Sequence, residues 1–375
     1  MDGVAVCVEN YAHWMQEKVG GVSVITPRKL GADYGQYAYE VLDYLAFPVP
    51  FRHPYVAGVA QLDPVFLAKV MKRRFKIVHA HSPFSSGLMA AQIARQQNIP
   101  LVATFHSKYK EDFKKVVPSD MLVDQAIRIL IEFYNIADEV WVPQASVEEV
   151  IREYGYKGKV EVVRNGTDLV ADYPESFFTE ARKALGLGPD EFVFLFVGQH
   201  IWQKNTRFII EGLERIKDLP FRMFFVGTGY AADEMKALVR EKGLDSKVTF
   251  TGMITDREQI TRYYAASDVF LFPSLYDTDG LVVKEAAALG TPSVMLHEAS
   301  ASGVITDGKN GFLSHNDLDE FSSLLRRLVG DRDLVRRAGV EASHTLARSW
   351  EDVVGEVLDR YNALIARKTQ IHRLP

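Results

Sequence analysis

Short apolar runs and amphipathic stretches alternate along almost the whole chain. Residues 22–27, 77–81, 100–106, 137–144 and 160–163 are apolar runs of strand length. Between them, residues 4–19, 61–70, 85–97, 120–134 and 145–154 space their apolar positions as helices do. In the first of these, Val4, Val8, Tyr11, Met15 and Val19 fall on one stripe. The pattern restarts at Phe192-Val193-Phe194-Leu195-Phe196-Val197-Gly198. Further strands are predicted at 224–226, 248–252, 269–272 and 292–296, and helices run to Leu213 and over 260–266, 318–347 and 350–366. Strand and helix in alternation, with strands apolar along their full length, predict an α/β protein with parallel sheets buried on both faces.

With 375 residues the chain exceeds one ordinary core, so two domains are expected. Its 47% hydrophobic and 25% charged content is that of a globular protein, and a formal charge of −5 argues against a nucleic-acid partner. The single Cys7 excludes an intramolecular disulfide and predicts a reducing, cytoplasmic setting. Met1-Asp2-Gly3 opens on an acid with no apolar leader behind it, and no 18-residue apolar run exists to span a membrane.

The most informative stretch is Pro273-Ser274-Leu275-Tyr276-Asp277-Thr278-Asp279-Gly280-Leu281-Val282-Val283-Lys284-Glu285-Ala286-Ala287-Ala288-Leu289-Gly290. A buried strand leads into a polar turn, then into an alanine-rich helix that Gly290 and Pro292 close. The helix start offers backbone N–H groups to a phosphate, at the strand ends where open α/β sheets bind ligands. Asp277 and Glu285 stand eight residues apart, one on the loop and one on the helix.

This spacing resembles the acidic signature of glycosyltransferase family 4, the retaining, nucleotide-sugar-dependent enzymes, with Asp279 in place of the usual phenylalanine. The resemblance implies two facing Rossmann-like domains of GT-B type, an interdomain cleft and a C-terminal crossover helix. Residues 1–168, joined by 350–375, would be the acceptor-side domain, and 169–349 the nucleotide-sugar-binding domain. Glu285 would bond the ribose, Asp277 the transferred sugar, and the Gly280, Leu281 and Val282 region the diphosphate. His106, in a Thr-Phe-His segment, would face the sugar. Gly198 and Lys204 match the family's glycine and phosphate-clamping lysine, Gly227 its glycine-rich donor turn, and Met253-Ile254 the backbone that packs on the base. Gly3 matches a glycine after the family's first strand. That strand is absent, and the expectation is that the recorded chain starts late. Arg164-Asn165-Gly166-Thr167-Asp168 resembles the family's segment before the hinge, and its Asn-Gly is sufficiently explained by a turn. His81 is expected to be a packing residue.

Gln199 departs from the family, standing where arginine is usual. A neutral amide cannot supply a guanidinium's bidentate charge, so phosphate stabilisation would fall on Lys204, the helix N-terminus and backbone amides. The implied reaction moves a hexose, by family frequency from UDP-hexose, to a hydroxyl acceptor. The leaving phosphate takes the acceptor's proton, no cofactor is required, and catalysis rests on positioning and electrostatics. Asp277-Thr278-Asp279 is also an Asp-x-Asp, the mark of metal-dependent single-domain transferases. The same triplet pattern recurs at 317–319 and 331–333, and one domain would not explain the second series of strands. Two alternatives stand beside this reading: a nucleotide-sugar-binding protein without turnover, and a transferase acting on a polysaccharide or small sugar. The segment 108–115 resembles the basic-aromatic segment of the family's lipid-glycosylating, diacylglycerol glucosyltransferase branch, and the basic 69–76 could serve the same way. The resemblance implies a glycerolipid acceptor and peripheral contact with the membrane's inner face; the alternative for both segments is a solvated charged face.

Overall fold

A computed structural model describes residues 3–48, 56–114, 117, 119–170, 172–188 and 190–371. The chain divides into two compact units, residues 1–165 with 350–375, and residues 166–349. Asp2 and Lys115, named in the sequence motifs above, lie outside the described residues.

In the first unit, β1 (Ser23–Pro27) and β2 (Glu40–Tyr44) pair in parallel, and β3 (Ala46–Pro48) and β4 (Val56–Gly58) pair antiparallel. A separate parallel sheet holds β5 (Val78–Ala80), β6 (Leu101–Thr104), β7 (Glu139–Val142) and β8 (Val160–Val162), in that order. β6 is buried along its whole length, as its apolar sequence requires. The Gly3–Val19 helix buries Cys7, Tyr11 and Ala12. The final Trp350–Ile371 helix belongs to this unit, and Trp350 is buried with its ring edge-on to Tyr11 at 5.9 Å.

The second unit is one six-stranded parallel sheet. Its strands are β9 (Phe192–Val197), β10 (Phe221–Val226), β11 (Val248–Gly252), β12 (Val269–Leu271), β13 (Ser293–Leu296) and β14 (Phe312–Ser314). Their spatial order is β11-β10-β9-β12-β13-β14. The order turns back between β9 and β12, and that reversal opens a crevice beyond the strands' carboxyl ends. All six residues of β9 are buried, which is why its sequence is an unbroken apolar run.

Two expectations change. The helix expected over 318–347 is two, Leu318–Gly330 and Arg332–Thr345. Asp331 separates them, its side chain accepting from the Leu334 N–H at 2.9 Å as an N-cap. The strands β2 and β3 and the helices Glu175–Ala184 and Ala232–Glu241 were not anticipated. Glu40 and Asp43 interrupt the apolar pattern of β2; they pair with Arg73 and with Arg28.

Candidate active site

The second unit gathers charge around its strand-order reversal. β9 ends at Val197, and the loop beyond it carries Gly198, exposed Gln199 and Lys204. β12 ends at Leu271, and its loop carries Asp277 before the Leu281–Ala288 helix. Lys204 Nζ lies 2.5 Å from Asp277 Oδ1, with both side chains largely shielded from solvent. The ammonium also stands 5.7 Å from the Phe272 ring centroid and 5.9 Å from that of Tyr276, within cation–π range. Asn205 Nδ2 donates to the Pro273 carbonyl at 3.3 Å, tying the two loops together. Asp277 Oδ2 is buried without a hydrogen-bond partner, an arrangement that costs energy unless a ligand hydroxyl supplies the bond.

Gly280 caps the helix at φ 65°, a left-handed conformation that glycine adopts without strain. The first-turn N–H groups of Leu281 and Val282 have no carbonyl one turn earlier to bond, so they suit an anion. One turn later, Glu285 accepts from the Tyr264 hydroxyl at 2.7 Å and pairs with Arg257 at 3.1 Å. Burial raises the Glu285 pKa, and the Arg257 charge opposes that rise. Arg257 also reaches Asp168, its Nε 2.9 Å from the carboxylate. Asp279, the family departure, is buried against Lys284 as an ion pair.

Gly227 and Gly229 have a packing explanation. A Cβ on Gly227 would meet the Gly198 carbonyl oxygen at 2.0 Å, and one on Gly229 the His200 oxygen at 2.4 Å. The loops after β9 and β10 pass too closely for any side chain at these points. The His200 N–H donates to the Thr228 carbonyl at 3.0 Å across the same crossing. Met253, mostly exposed, and Ile254, packed on the core, follow β11 at the same edge of the sheet.

The first unit's candidate residues have a different character. His106 is buried, two residues beyond β6, and its Nε2 lies 3.0 Å from His81 Nδ1. His79, on β5, is held between the Tyr361 hydroxyl at 2.5 Å and Thr104 Oγ1 at 2.7 Å. Burial lowers the His79 pKa to about 3, with His106 adding to the effect, and pushes His81 well below its usual value. His79 and His81 are therefore held in their neutral forms. Cys7 approaches it from the Gly3–Val19 helix and donates to Asn165 Oδ1 at 3.3 Å. Gly3 is exposed at the start of that helix.

The structure brings Lys204, Asp277, Gly280, Leu281, Val282 and Glu285 to neighbouring elements at the strand ends of one sheet, and it sets Gly3 and His106 in the other unit. Sequence inspection missed Arg257, Tyr264 and the Lys284 partnership. Arg257 meets residues 89 and 28 positions away, so no local pattern announces it. Of the two basic segments, Lys110 and Lys114 pair with Asp124 and Asp120 at 2.8 and 3.3 Å. In 69–76, Lys69, Lys72, Arg73, Arg74 and Lys76 are all exposed. No described helix is long and apolar enough to cross a membrane.

Comparison with known proteins gives a consistent result. Residues 1–170 match the model of Glycosyltransferase Family 4, and residues 191–331 that of Glycosyl transferases group 1. The alpha-monoglucosyldiacylglycerol synthase of Streptococcus pneumoniae is 25% identical over 288 residues, which cover 75% of this chain and 63% of that protein. The synthase of the same name from Acholeplasma laidlawii is 25% identical over 81% of both chains. Among solved structures, Anabaena HepE in complex with UDP and glucose superposes with a TM-score of 0.77 at 19% identity. It covers 97% of this chain and 96% of its own.

Proposed function

This chain belongs to the family 4, group 1 glycosyltransferases, and from that premise we propose that it moves a hexose, with retention, from UDP-hexose to a hydroxyl of a glycerolipid. The observation that carries the reading is the Lys204–Asp277 pair at the reversal of strand order, with Asp277 Oδ2 lacking a partner beside it.

A nucleoside diphosphate leaves as a polyanion. Lys204 and the N–H groups of Leu281 and Val282 are the positive field for it, and such preorganised donors lower a barrier because they need no rearrangement during the reaction. Binding the phosphate releases Asp277 from part of its pairing, so both carboxylate oxygens accept hydroxyls of the transferred sugar. Glu285 is already oriented by Tyr264 and Arg257 and accepts the ribose hydroxyls. His106 bonds a sugar hydroxyl. The acceptor attacks the face that the diphosphate leaves, and the leaving phosphate oxygen takes its proton, which requires no covalent nucleophile. We hold metal unnecessary to this scheme, and chelation should not abolish transfer.

UDP is favoured by the HepE complex, and a glycerolipid by the names of the two synthases. The exposed basic run at 69–76 is the part of this chain suited to an anionic membrane's inner face, each cation other than Arg73, which pairs with Glu40, contributing about 1 kcal/mol near such a surface. The paired cations of 108–114 contribute less, because their partners cancel their charge.

The test supplies purified protein with several nucleotide-sugars and with diacylglycerol in anionic or neutral liposomes, and identifies products by mass. Hexosyl-diacylglycerol formed from UDP-hexose, faster on anionic vesicles, supports the reading. Transfer to soluble sugars alone overturns the lipid acceptor. Donor binding with neither transfer nor hydrolysis overturns the enzyme assignment.

A further inference from the structure

The histidine cluster of the first unit has a composition that orienting a sugar does not require. Cys7 Sγ and one ring nitrogen each of His81 and His106 lie within 4.8 Å of one another, and all three side chains are wholly or largely buried. We propose that Cys7, His81 and His106 form a binding site for a borderline-soft divalent ion of the Zn²⁺ type, and that its occupation shuts off transfer. The second half rests on the sugar-facing role proposed above for His106; the first half does not.

The donor set selects the ion. One thiolate and two imidazoles suit Zn²⁺, whereas Mg²⁺, Ca²⁺ and Mn²⁺ favour oxygen ligands. Zn–N bonds of about 2.0–2.1 Å and a Zn–S bond of about 2.3 Å put tetrahedral donors roughly 3.3–3.6 Å apart. The His81 to His106 nitrogens stand at 3.0 Å and all three donors within 4.8 Å of one another, so side-chain shifts of up to about 1 Å bring them to that spacing. Three protein ligands leave one position open.

The surroundings hold the ligands in place. The His81 ring lies 4.0 Å from that of His79, and the Tyr11 ring stands edge-on to it at 5.2 Å. His79 is itself fixed by Tyr361 and Thr104. Such outer contacts restrict a ligating imidazole to one orientation. The proton balance is simple. The thiol gives up its proton to solvent as the S–metal bond forms. The proton shared between His81 and His106 moves to an outer ring nitrogen, so both rings stay neutral. Asn165, which accepts from the thiol, can turn its amide to donate to the thiolate instead.

Coordination replaces the His106 Nε2 bond to His81 and fixes the ring, so the ring can no longer turn that nitrogen to a sugar hydroxyl. Zinc should therefore act as a reversible inhibitor that chelation removes. The experiment titrates metal-free, full-length protein with Co²⁺ and Zn²⁺, and then assays UDP-hexose consumption with and without chelator. One equivalent of Co²⁺ should give a tetrahedral visible spectrum with a thiolate charge-transfer band, which Zn²⁺ displaces. Cys7→Ser should weaken binding by at least ~100-fold, keep basal transfer and lose the zinc inhibition. His81→Gln should do the same, and it serves should the serine variant not fold. A wild-type protein that shows no thiolate–cobalt band, or variants that bind as tightly as wild type, would overturn the site. Tight binding with transfer unaffected would overturn the inhibitory role. Because the cobalt spectrum needs no substrate, the site is decided even if no transfer is found.

Discussion

The two units share an α/β plan but differ in how they treat charge. In the second, two ammonium groups, a guanidinium and several carboxylates are brought together at one end of a single sheet, partly or wholly buried. In the first, His79 and His81, which burial keeps neutral, and His106 gather at the strands β5 and β6, with a thiol and a tyrosine hydroxyl reaching them from two helices. The function proposed above would account for the contrast. A nucleoside diphosphate is a polyanion and calls for fixed positive charge, whereas a sugar or acceptor hydroxyl is neutral and calls for donors and acceptors without net charge, which cost less to bury.

The largest expected effect concerns the charge hidden in the second unit. Asp279→Leu leaves Lys284 buried and unpaired, which should cost about 3–5 kcal/mol in unfolding free energy. Adding Lys284→Met should restore most of it, since an apolar pair of similar volume replaces an ion pair with little loss. Equal melting of the single and double variants would show that the pair does not carry this charge balance. Next, Lys204→Ala should lower kcat by about 10²–10³, or about 2.7–4 kcal/mol of barrier. Steady-state rates with saturating donor check it, and an unchanged rate would remove Lys204 from the machinery. Glu285→Ala should instead act mainly on donor affinity, raising KM by about 10–100-fold.

The smallest effect is a pH dependence of stability. Burial lowers the His200 pKa to about 4, and the side chain is 1% exposed. Below about pH 6.5 the unfolded chain takes up a proton that the folded one refuses until about pH 4. The His200 contribution to stability is full above pH 6.5 and falls as pH drops through that window, by at most about 1.4 kcal/mol per pH unit, and His79 and His81 add to the fall. His200→Gln should flatten the fall in denaturant titrations between pH 6.5 and 4. A variant with the wild-type slope would show that His200 is protonated in the fold.

Strand positions were legible where strands are buried on both faces: β9 and β6 are unbroken apolar runs and lie close to where the sequence puts them. β2 was not, because Glu40 and Asp43 break its pattern, and their ion pairs form only in three dimensions. The loop at 273–290 was readable because its acids, glycine and helix lie close in sequence. The network at Glu285 was not, since Tyr264, Arg257 and Asp168 reach it from separate elements. Gly227 was matched to a glycine-rich donor turn, and the structure gives it and Gly229 a packing cause, the close passage of the loops after β9 and β10. His81 was expected to be a satisfied packing or loop histidine, and it packs against His79 and Tyr11 and bonds His106.

The central claim is that the nucleotide is gripped by the charged unit and not by the neutral one. Calorimetric titration of UDP into the wild type, Lys204→Ala and His106→Ala tests it most directly. Lys204→Ala should weaken UDP by about 10–100-fold, while His106→Ala should leave UDP affinity within about twofold and lower only transfer. UDP affinity that falls equally in both variants, or in His106→Ala alone, would contradict the account.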